Sequence, residues 1–349
     1  MKSRNENLRR IFRNTLICFA ALLILGMLSA VTVAAKAPET GSGVIVPLSG
    51  GEYEDKDASS ARLFYNQLPS YSKKIYRFLN KKNLKKKKLK RGASYSFWTT
   101  MSLIRGGNIN KVSKFVKFDK KVQKGVYAFR MDHMEKCYFL RDFSWQYLYR
   151  YTTYDGVNAK VTIYKIVFTP IRSYSNVLKD DAKVKKALSV MKSYIVSHRA
   201  SSSRYHTLYT MCKYMTLRFT HNGSGYAPSY TPASVLLNKF GNQGVCEAYA
   251  KVCFIMCKKF GIPVIYAESD NHAYTFVKME NGKWYGLDTD WIDDNHPVKK
   301  GKMDMKWFLY GSNQLASIDQ GNTHQTKYTR GSISLKAFSI SPTPYKRAA

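Results

Sequence analysis

The stretch "HAYTFVKMENGKWYGLD", residues 272–288, decides the fold. It begins with a histidine, ends with an aspartate, and holds Asn281-Gly282 between two runs of alternating apolar residues. Asn-Gly between such runs is the strongest short-range signal for a β-hairpin. The sequence therefore predicts a hairpin here, and it raises the question of whether His272 and Asp288 meet.

A two-residue turn made of Asn281-Gly282 is the simplest reading of this hairpin. It sets Thr275 opposite Asp288 on the neighbouring strand. Directly opposed residues share a face of a sheet, whereas neighbours along a strand alternate. With this turn, His272 and Asp288 lie on opposite faces and cannot touch.

A three-residue loop, 280–282, is the alternative, with Gly282 in the left-handed region as a bulge. Tyr274 then lies opposite Asp288, and His272 shares that face. The diagonal separation between backbones is roughly 7–8 Å, which the two side chains span. The residues of the hairpin alone permit either turn.

A helix that begins near Cys246 precedes the hairpin, in "GNQGVCEAYAKVCFIMCKKFGIPVIYA", residues 241–267. Its glycine-rich start, helical apolar spacing and closing Lys258-Lys259 are ordinary start and stop signals. A helix N-terminus favours the thiolate form of a cysteine, which is the nucleophilic form. Cys253 and Cys257 fall on the apolar stripe and are interpreted as core packing.

A nucleophilic cysteine needs an imidazole to take its proton and a third group to hold the tautomer of that imidazole. The segments "GVCEAYA", "GIPVIYA", "NHAYTFVK" and "GKWYGLDTDWID" resemble the bacterial transglutaminase-like family, which has a papain-type fold. The resemblance implies an α+β core in which the cysteine-bearing helix packs on an antiparallel sheet. It makes Cys246 the nucleophile, His272 the general base and acid, and Asp288 the orienting carboxylate.

The match departs from the family pattern in small ways. Ala248 replaces a usual glycine, Tyr274-Thr275 replace Trp-Asn, and Asp290 intrudes before Trp291. The hairpin turn is also one residue longer than the family's commonest form. We therefore expect the three-residue loop, because it returns the histidine and the aspartate to a common face.

Other polar residues receive no catalytic role. The acidic cluster around Asp288 lacks the glycine and terminal glutamate of an EF-hand loop, so we predict neither a metal site nor a cofactor. The N–H of Cys246 is expected to stabilise the oxyanion, and Gln243 and Tyr230 are only guesses for its second donor. The remaining histidines begin no clear strand opposite a carboxylate: His133, His198, His206, His221, His296 and His324.

Export is predicted from the N-terminus. Basic residues precede an uncharged stretch from Thr15 to Ala35, which ends in small residues suited to a signal peptidase. The same stretch is long enough to span a bilayer, so an uncleaved anchor through 15–35 is the alternative. Five cysteines remain after residue 35, and because this number is odd, at least one is unpaired within an exported chain, which is where a reactive thiol is to be sought.

The formal net charge of +34 implies a polyanionic partner. The densest basic run, Lys73–Arg91, carries eleven basic residues and no acidic one. For an exported protein we expect an anionic cell-wall polymer or lipid surface and no nucleic acid, unless the run is only a solvated face. The oligomeric state is left open.

The pattern of the chain divides it into five segments. They are a signal peptide or anchor (1–35), a linker (36–60), a mixed helix and strand region (61–200), the transglutaminase-like core (201–312) and a C-terminal extension (313–349). The strand-like runs dominate from 93 to 169, helices are predicted over 180–196 and 204–219, and 220–232 is predicted to be a loop.

These features predict an exported thiol hydrolase or acyltransferase that acts on a protein or peptide substrate through a thioester. Hydrolysis is favoured over cross-linking because no segment marks a second site that delivers an amine. The alternative is a catalytically idle cell-wall or surface interaction module that keeps the same fold.

Overall fold

The structure is a computed structural model, and it describes residues 63–82, 94–106, 113–154, 158–222, 227–269, 271–293, 300–319, 324, 328–330, 333–335 and 339–346. The predicted leader and linker, and the part of the basic run beyond residue 82, lie outside the described residues. Within the described part, no helix has both the length and the apolar character needed to cross a bilayer.

The chain divides into two compact units, of which the smaller contains 92–116 and 143–169. Its sheet is formed by β1 (Tyr95–Gly106), β2 (Leu140–Tyr154) and β3 (Asn158–Arg172), with β3 in the centre and antiparallel to β1. Val161, Ile163 and Ile166 of β3 are buried. This sheet agrees with the strand-like runs of the sequence.

The larger unit begins with helices α1 (Leu63–Asn66) and α2 (Ser70–Lys81), followed later by α3 (Ser113–Asp132) and α4 (Met134–Cys137). The sequence pattern did not predict α3, because it treated 93–169 as mainly strands. A Cβ on Gly125 would lie 2.7 Å from the Ser72 carbonyl oxygen and 2.8 Å from the Ile75 Cβ. Glycine therefore allows α3 to approach α2 closely.

The core has the predicted α+β architecture. Helices α5 (Val177–His198) and α6 (Arg204–Arg218) confirm the two predicted helices. The cysteine-bearing helix α8 (Cys246–Lys259) packs on an antiparallel sheet of order β6 (Val264–Glu268), β7 (Ala273–Lys278), β8 (Trp284–Leu287), β9 (Phe308–Tyr310). Cys253 and Cys257 are fully buried, which confirms that they belong to the core.

The predicted loop 220–232 is partly regular. Strand β4 (Thr220–His221) pairs in parallel with β5 (Gln243–Gly244), and a 3-10 turn (Ala227–Tyr230) leads into α7 (Pro232–Leu236). A second 3-10 turn spans Asn238–Phe240. The Val245 N–H donates to the Ser229 carbonyl at 3.1 Å, so this segment fixes the start of α8.

The C-terminal extension lies against the core sheet. It follows the 3-10 turn Met305–Trp307 and strand β9, and contains α9 (Ser312–Ile318), β10 (Tyr328–Arg330) and β11 (Ile333–Leu335). The Ser341 N–H donates to the Trp284 carbonyl at 2.8 Å and that of Tyr345 to the Leu309 carbonyl at 3.0 Å.

Candidate active site

The hairpin closes through three residues. Gly282 has φ +77°, in the left-handed region. Its N–H donates to the Met279 carbonyl at 3.0 Å, and the Met279 N–H donates to the Lys283 carbonyl at 3.0 Å. Lys278 lies opposite Trp284, as the three-residue loop requires. The longer turn is confirmed, and the two-residue reading is wrong.

This register brings His272 and Asp288 together. His272 directly precedes β7 and Asp288 directly follows β8. Because Thr275 lies opposite Leu287, the next position of the ladder sets Tyr274 level with Asp288. Nε2 of His272 lies 2.6 Å from Oδ2 of Asp288.

The carboxylate of Asp288 is fully buried and fully hydrogen-bonded. Its Oδ1 accepts the backbone N–H groups of Asp290 at 3.0 Å and of Trp291 at 3.1 Å. Burial alone would raise the pKa of Asp288, but the charge and hydrogen bond of His272 and the hydrogen bond of His324 hold it well below its usual value. Asp288 is therefore ionised and only accepts, so Nε2 of His272 is the donor.

Cys246 is the first residue of α8 and is partly exposed. Its Sγ, a ring nitrogen of His272 and a carboxylate oxygen of Asp290 all lie within 4.8 Å of one another. Since Nε2 of His272 faces Asp288, Nδ1 is the nitrogen left for the thiol. Burial lowers the pKa of His272, but Asp288 and then the hydrogen bond with Cys246 raise it to about 10.

The start of α8 also offers hydrogen-bond donors. The first N–H groups of a helix have no partner within the helix. The N–H of Cys246 is one of them, so it is suitably placed for an oxyanion on a carbon bonded to Sγ. The second donor stays a guess: Asn222 donates to the Gln243 amide oxygen at 2.6 Å, a bond that does not involve the NH₂ group of Gln243, and the Tyr230 side chain is 41% exposed.

A second histidine and aspartate pair lies beside the thiol, and the sequence analysis missed its role. Nδ1 of His221 lies 2.8 Å from Oδ1 of Asp290. Burial raises the pKa of Asp290 despite the opposing effect of His221, and the hydrogen bond with Asp290 raises the pKa of His221. Asp290 is one of the positions at which the sequence departs from the family pattern.

His324 is the other residue that the sequence analysis missed. Its Nε2 lies 2.6 Å from Oδ2 of Asp288, the oxygen that also binds His272. Three of the other histidines bond elsewhere: His133 to Tyr76 and Glu135, His198 to Tyr194, and His206 to Ser201 and Ser203. His296 lies outside the described residues.

The described carboxylates of the acidic cluster do not converge on one point. Asp288 binds two imidazoles, Asp290 binds His221, and Oδ2 of Asp293 accepts the Tyr249 hydroxyl at 2.8 Å. The donor atoms of His272, Asp288 and His324 are close enough to surround an ion. They are engaged with one another in hydrogen bonds, so we assign no metal to them.

Residues 194–289 match the sequence model of the Transglutaminase-like superfamily. Among solved structures, the chain is similar to one described as a TGase, with 13% identity, a TM-score of 0.27, and coverage of 44% of this chain and 46% of that one. It is also similar to the periplasmic domain of TgpA from Pseudomonas aeruginosa bound to ethylmercury, with 12% identity, a TM-score of 0.24, and coverage of 41% and 65%. The chain thus spans less than two thirds of the length of these structures, and no curated protein sequence matches it.

Proposed function

Residues 194–289 of this chain belong to the transglutaminase-like superfamily, and from that premise we propose an exported thiol hydrolase or acyltransferase that acts on peptide or glutamine carboxamides. One observation carries the proposal. Cys246, at the start of a helix, lies beside a ring nitrogen of His272, whose other nitrogen donates to the buried carboxylate of Asp288. This is the arrangement that nucleophilic catalysis by a thiol requires.

The first half of the reaction forms a thioester. The Cys246 thiol gives its proton to Nδ1 of His272, and the sulfur attacks the carboxamide carbon. The N–H of Cys246 stabilises the negative charge on the carbonyl oxygen. The carbon–nitrogen bond then breaks, and the imidazolium gives its proton to the leaving amine or ammonia.

The second half returns the enzyme to its starting state. Nδ1 of His272 removes a proton from the acceptor, which attacks the thioester carbon. The carbon–sulfur bond breaks, and the proton returns to the thiolate. Water as acceptor gives hydrolysis, and a lysine amine gives a cross-link.

Asp288 restricts proton transfer to Nδ1 of the His272 ring. An ionised carboxylate at Nε2 requires a hydrogen on that nitrogen, so the neutral ring presents a bare Nδ1 to the thiol. The two backbone N–H groups on Oδ1 hold the carboxylate in place. Asp288 thus acts as the orienting group, as the family resemblance implies.

We propose hydrolysis as the main outcome, because no segment of the sequence is recognisable as a second site that delivers an amine. Export is proposed on the leader-like residues 1–35. Mass spectrometry of the culture medium tests export directly: a mature N-terminus near Lys36 supports cleavage, whereas retention of residues 15–35 in the membrane fraction indicates an anchor.

The thiol chemistry is tested by alkylation with iodoacetamide near pH 6, followed by quantitative mass spectrometry of each cysteine peptide. We expect rapid labelling of Cys246 and at least about tenfold slower labelling in His272→Ala. The buried Cys253 and Cys257 in the same sample are internal references. Labelling of Cys246 no faster than that of a free cysteine would favour the idle interaction module.

The acyl transfer itself is tested with a library of glutamine-containing peptides. We expect release of ammonia or an amine and a transient acyl mass on Cys246 that hydroxylamine removes. Cys246→Ala should form no adduct. A reactive thiol that forms no adduct with any member of a broad library would contradict the proposed substrate class.

A further inference from the structure

His324 lies in a closed aromatic cage behind the proposed triad. Its side chain is 0% exposed. The ring stacks on Trp307 at a centroid distance of 4.8 Å and contacts Trp291 and Tyr274, each at 4.6 Å. Burial of an imidazole in such a place requires polar partners for its nitrogens.

Both ring nitrogens of His324 have carboxylate partners. Nε2 lies 2.6 Å from Oδ2 of Asp288, and Nδ1 lies 3.2 Å from Oδ2 of Asp319. The backbone N–H of His324 donates to the same oxygen of Asp319 at 2.5 Å. Asp319 therefore fixes both the backbone and the ring of His324, so that Nε2 points at the carboxylate that orients His272.

The C-terminal extension carries His324 and is attached to the core before and after it. Helix α9 directly follows β9 and ends at Ile318, next to Asp319. After His324, the Ser341 N–H donates to the Trp284 carbonyl at 2.8 Å, which ties the chain back to β8. The extension is thus attached to the core on both sides of His324.

We propose that His324 is a positioning residue which shares the charge of Asp288 with His272 and so limits how tightly His272 holds its proton. This inference rests on the proposed function, because His272 is there the general acid. One carboxylate oxygen that accepts two N–H groups is a weaker partner for each of them than an oxygen that accepts one. An imidazolium held too tightly is a poor acid for the leaving amine, since the ideal pKa lies near the working pH.

Other charged and titratable groups near the His272 and Asp288 pair do not reproduce this effect. Asp290 and Asp293 follow β8, His221 lies on β4, Cys246 begins α8 and Cys212 belongs to α6. In the described part of the chain, the side chains that donate hydrogen bonds to Asp288 are those of His272 and His324. Removal of the His324 N–H therefore leaves Oδ2 of Asp288, the oxygen that orients His272, with one N–H donor in place of two.

The test is an NMR titration of the His272 ring in the full chain with Cys246→Ala, so that the imidazole titrates against Asp288 alone. His324→Phe keeps an aromatic ring for the cage and removes the N–H. We expect this variant to raise the pKa of His272 by about one unit. His324→Gln, whose amide N–H reaches toward Asp288, should return the pKa to within about 0.3 units of the parent.

A His272 titration that is the same in the parent and in folded His324→Phe overturns the proposal. A rise in His324→Phe that His324→Gln does not reverse also overturns it, because the ring and not the N–H would then matter. If His324→Phe does not fold, His324→Asn, whose amide is too short to reach Oδ2, replaces it with the same criteria. The titration needs no substrate, so its result is separate from the fate of the proposed function.

Discussion

Replacement of Asp288 by asparagine tests whether His272 must be held in one orientation and tautomer, because the substitution leaves His272 itself in place. Oδ2 of Asp288 accepts from two imidazoles and Oδ1 accepts from two backbone N–H groups. An asparagine has one oxygen and one NH₂ group. Its NH₂ group, which is a donor, must therefore face either the two imidazoles or the two backbone N–H groups, which are donors as well. If the NH₂ faces the imidazoles, His272 must present a bare Nε2 and move its hydrogen to Nδ1. The hydrogen then faces the thiol, and the ring cannot accept the thiol proton.

The size of the effect follows from the raised pKa of His272. That pKa rises from 6.5 to about 10, and at about 1.36 kcal/mol per unit this corresponds to about 5 kcal/mol, shared between Asp288 and Cys246. The side chains of His272 and Asp288 are only 6% and 0% exposed, so solvent screens little of their interaction. We expect Asp288→Asn to reduce the rate of acyl transfer by about 10³–10⁴-fold, as the loss of an orienting carboxylate does in other triads.

The same change should alter stability in a defined pH window. The raised pKa of His272 contributes stability that is fully present below its ordinary pKa of 6.5 and is lost as the pH rises through about 10. The lowered pKa of Asp288 contributes stability that is present above its ordinary 3.8 and is lost in stronger acid. Asp288→Asn should therefore lower the free energy of unfolding between about pH 4 and 10, by about 3 kcal/mol near neutrality.

The rate of acyl-adduct formation with a glutamine-containing peptide measures the first effect, and urea unfolding followed by tryptophan fluorescence measures the second. Alkylation of Cys246 at pH 6 reports separately on the reactivity of the thiol. Asp293→Asn is the matched control, because Asp293 is also buried, lies five residues away, and its amide oxygen can still accept the Tyr249 hydroxyl. We expect the control to keep the alkylation rate within about threefold. If Asp288→Asn folds and its Cys246 reacts as fast as in the parent, the orienting role of Asp288 is refuted.

Three further results are expected. Gly286→Ala should lower the free energy of unfolding by about 3 kcal/mol in urea, because the added methyl would overlap the ring of Tyr310; an unchanged unfolding curve would contradict this packing. Asp290→Thr should speed alkylation of Cys246 at pH 6 by about 3–10-fold, because a negative group within 4.8 Å of the sulfur disfavours the thiolate. Equal or slower labelling would show that the Asp290 carboxylate is not ionised at this pH. Replacement of the lysines in 81–91 by glutamine should abolish salt-sensitive retention on anionic wall polymer, while Cys246→Ala should leave it intact; retention after the lysine changes would place the anionic contact elsewhere.

The hairpin and the cysteine helix were predictable because their signals are local. Gly282 at the third loop position allows the left-handed residue that the longer turn needs. Glycine, lysine and apolar spacing mark the limits of α8 within a single window of sequence. The proximity of His272 and Asp288 then follows once the turn is chosen, and both the choice of turn and the place of Cys246 beside them came from the family resemblance.

Helix α3 was missed for a physical reason. Its buried residues Phe118, Val122, Val126 and Phe129 are spaced for a helix, but they are β-branched or aromatic types that also favour strands. Gly125 lowers the intrinsic helix propensity further. The close approach of α2 that makes this glycine necessary depends on tertiary packing, which a local pattern does not contain.

His324 carried no local signal either. It lies in "GNTHQTK", residues 321–327, which has no periodicity and no turn of obvious type. Its contact with Asp288 spans 36 positions and depends on how the extension returns to the sheet. A single histidine becomes informative only when its neighbours in space are known.

The shared oxygen of Asp288 bears on how much of the chain the proposed catalytic site needs. The family match ends at residue 289, directly after the orienting carboxylate, yet one of the donors to that carboxylate arrives from residue 324. A gene fragment cut at the limit of the match would transfer all three proposed catalytic side chains and leave Asp288 one donor short. The segment that the proposed site needs is therefore longer than the segment by which the family is recognised.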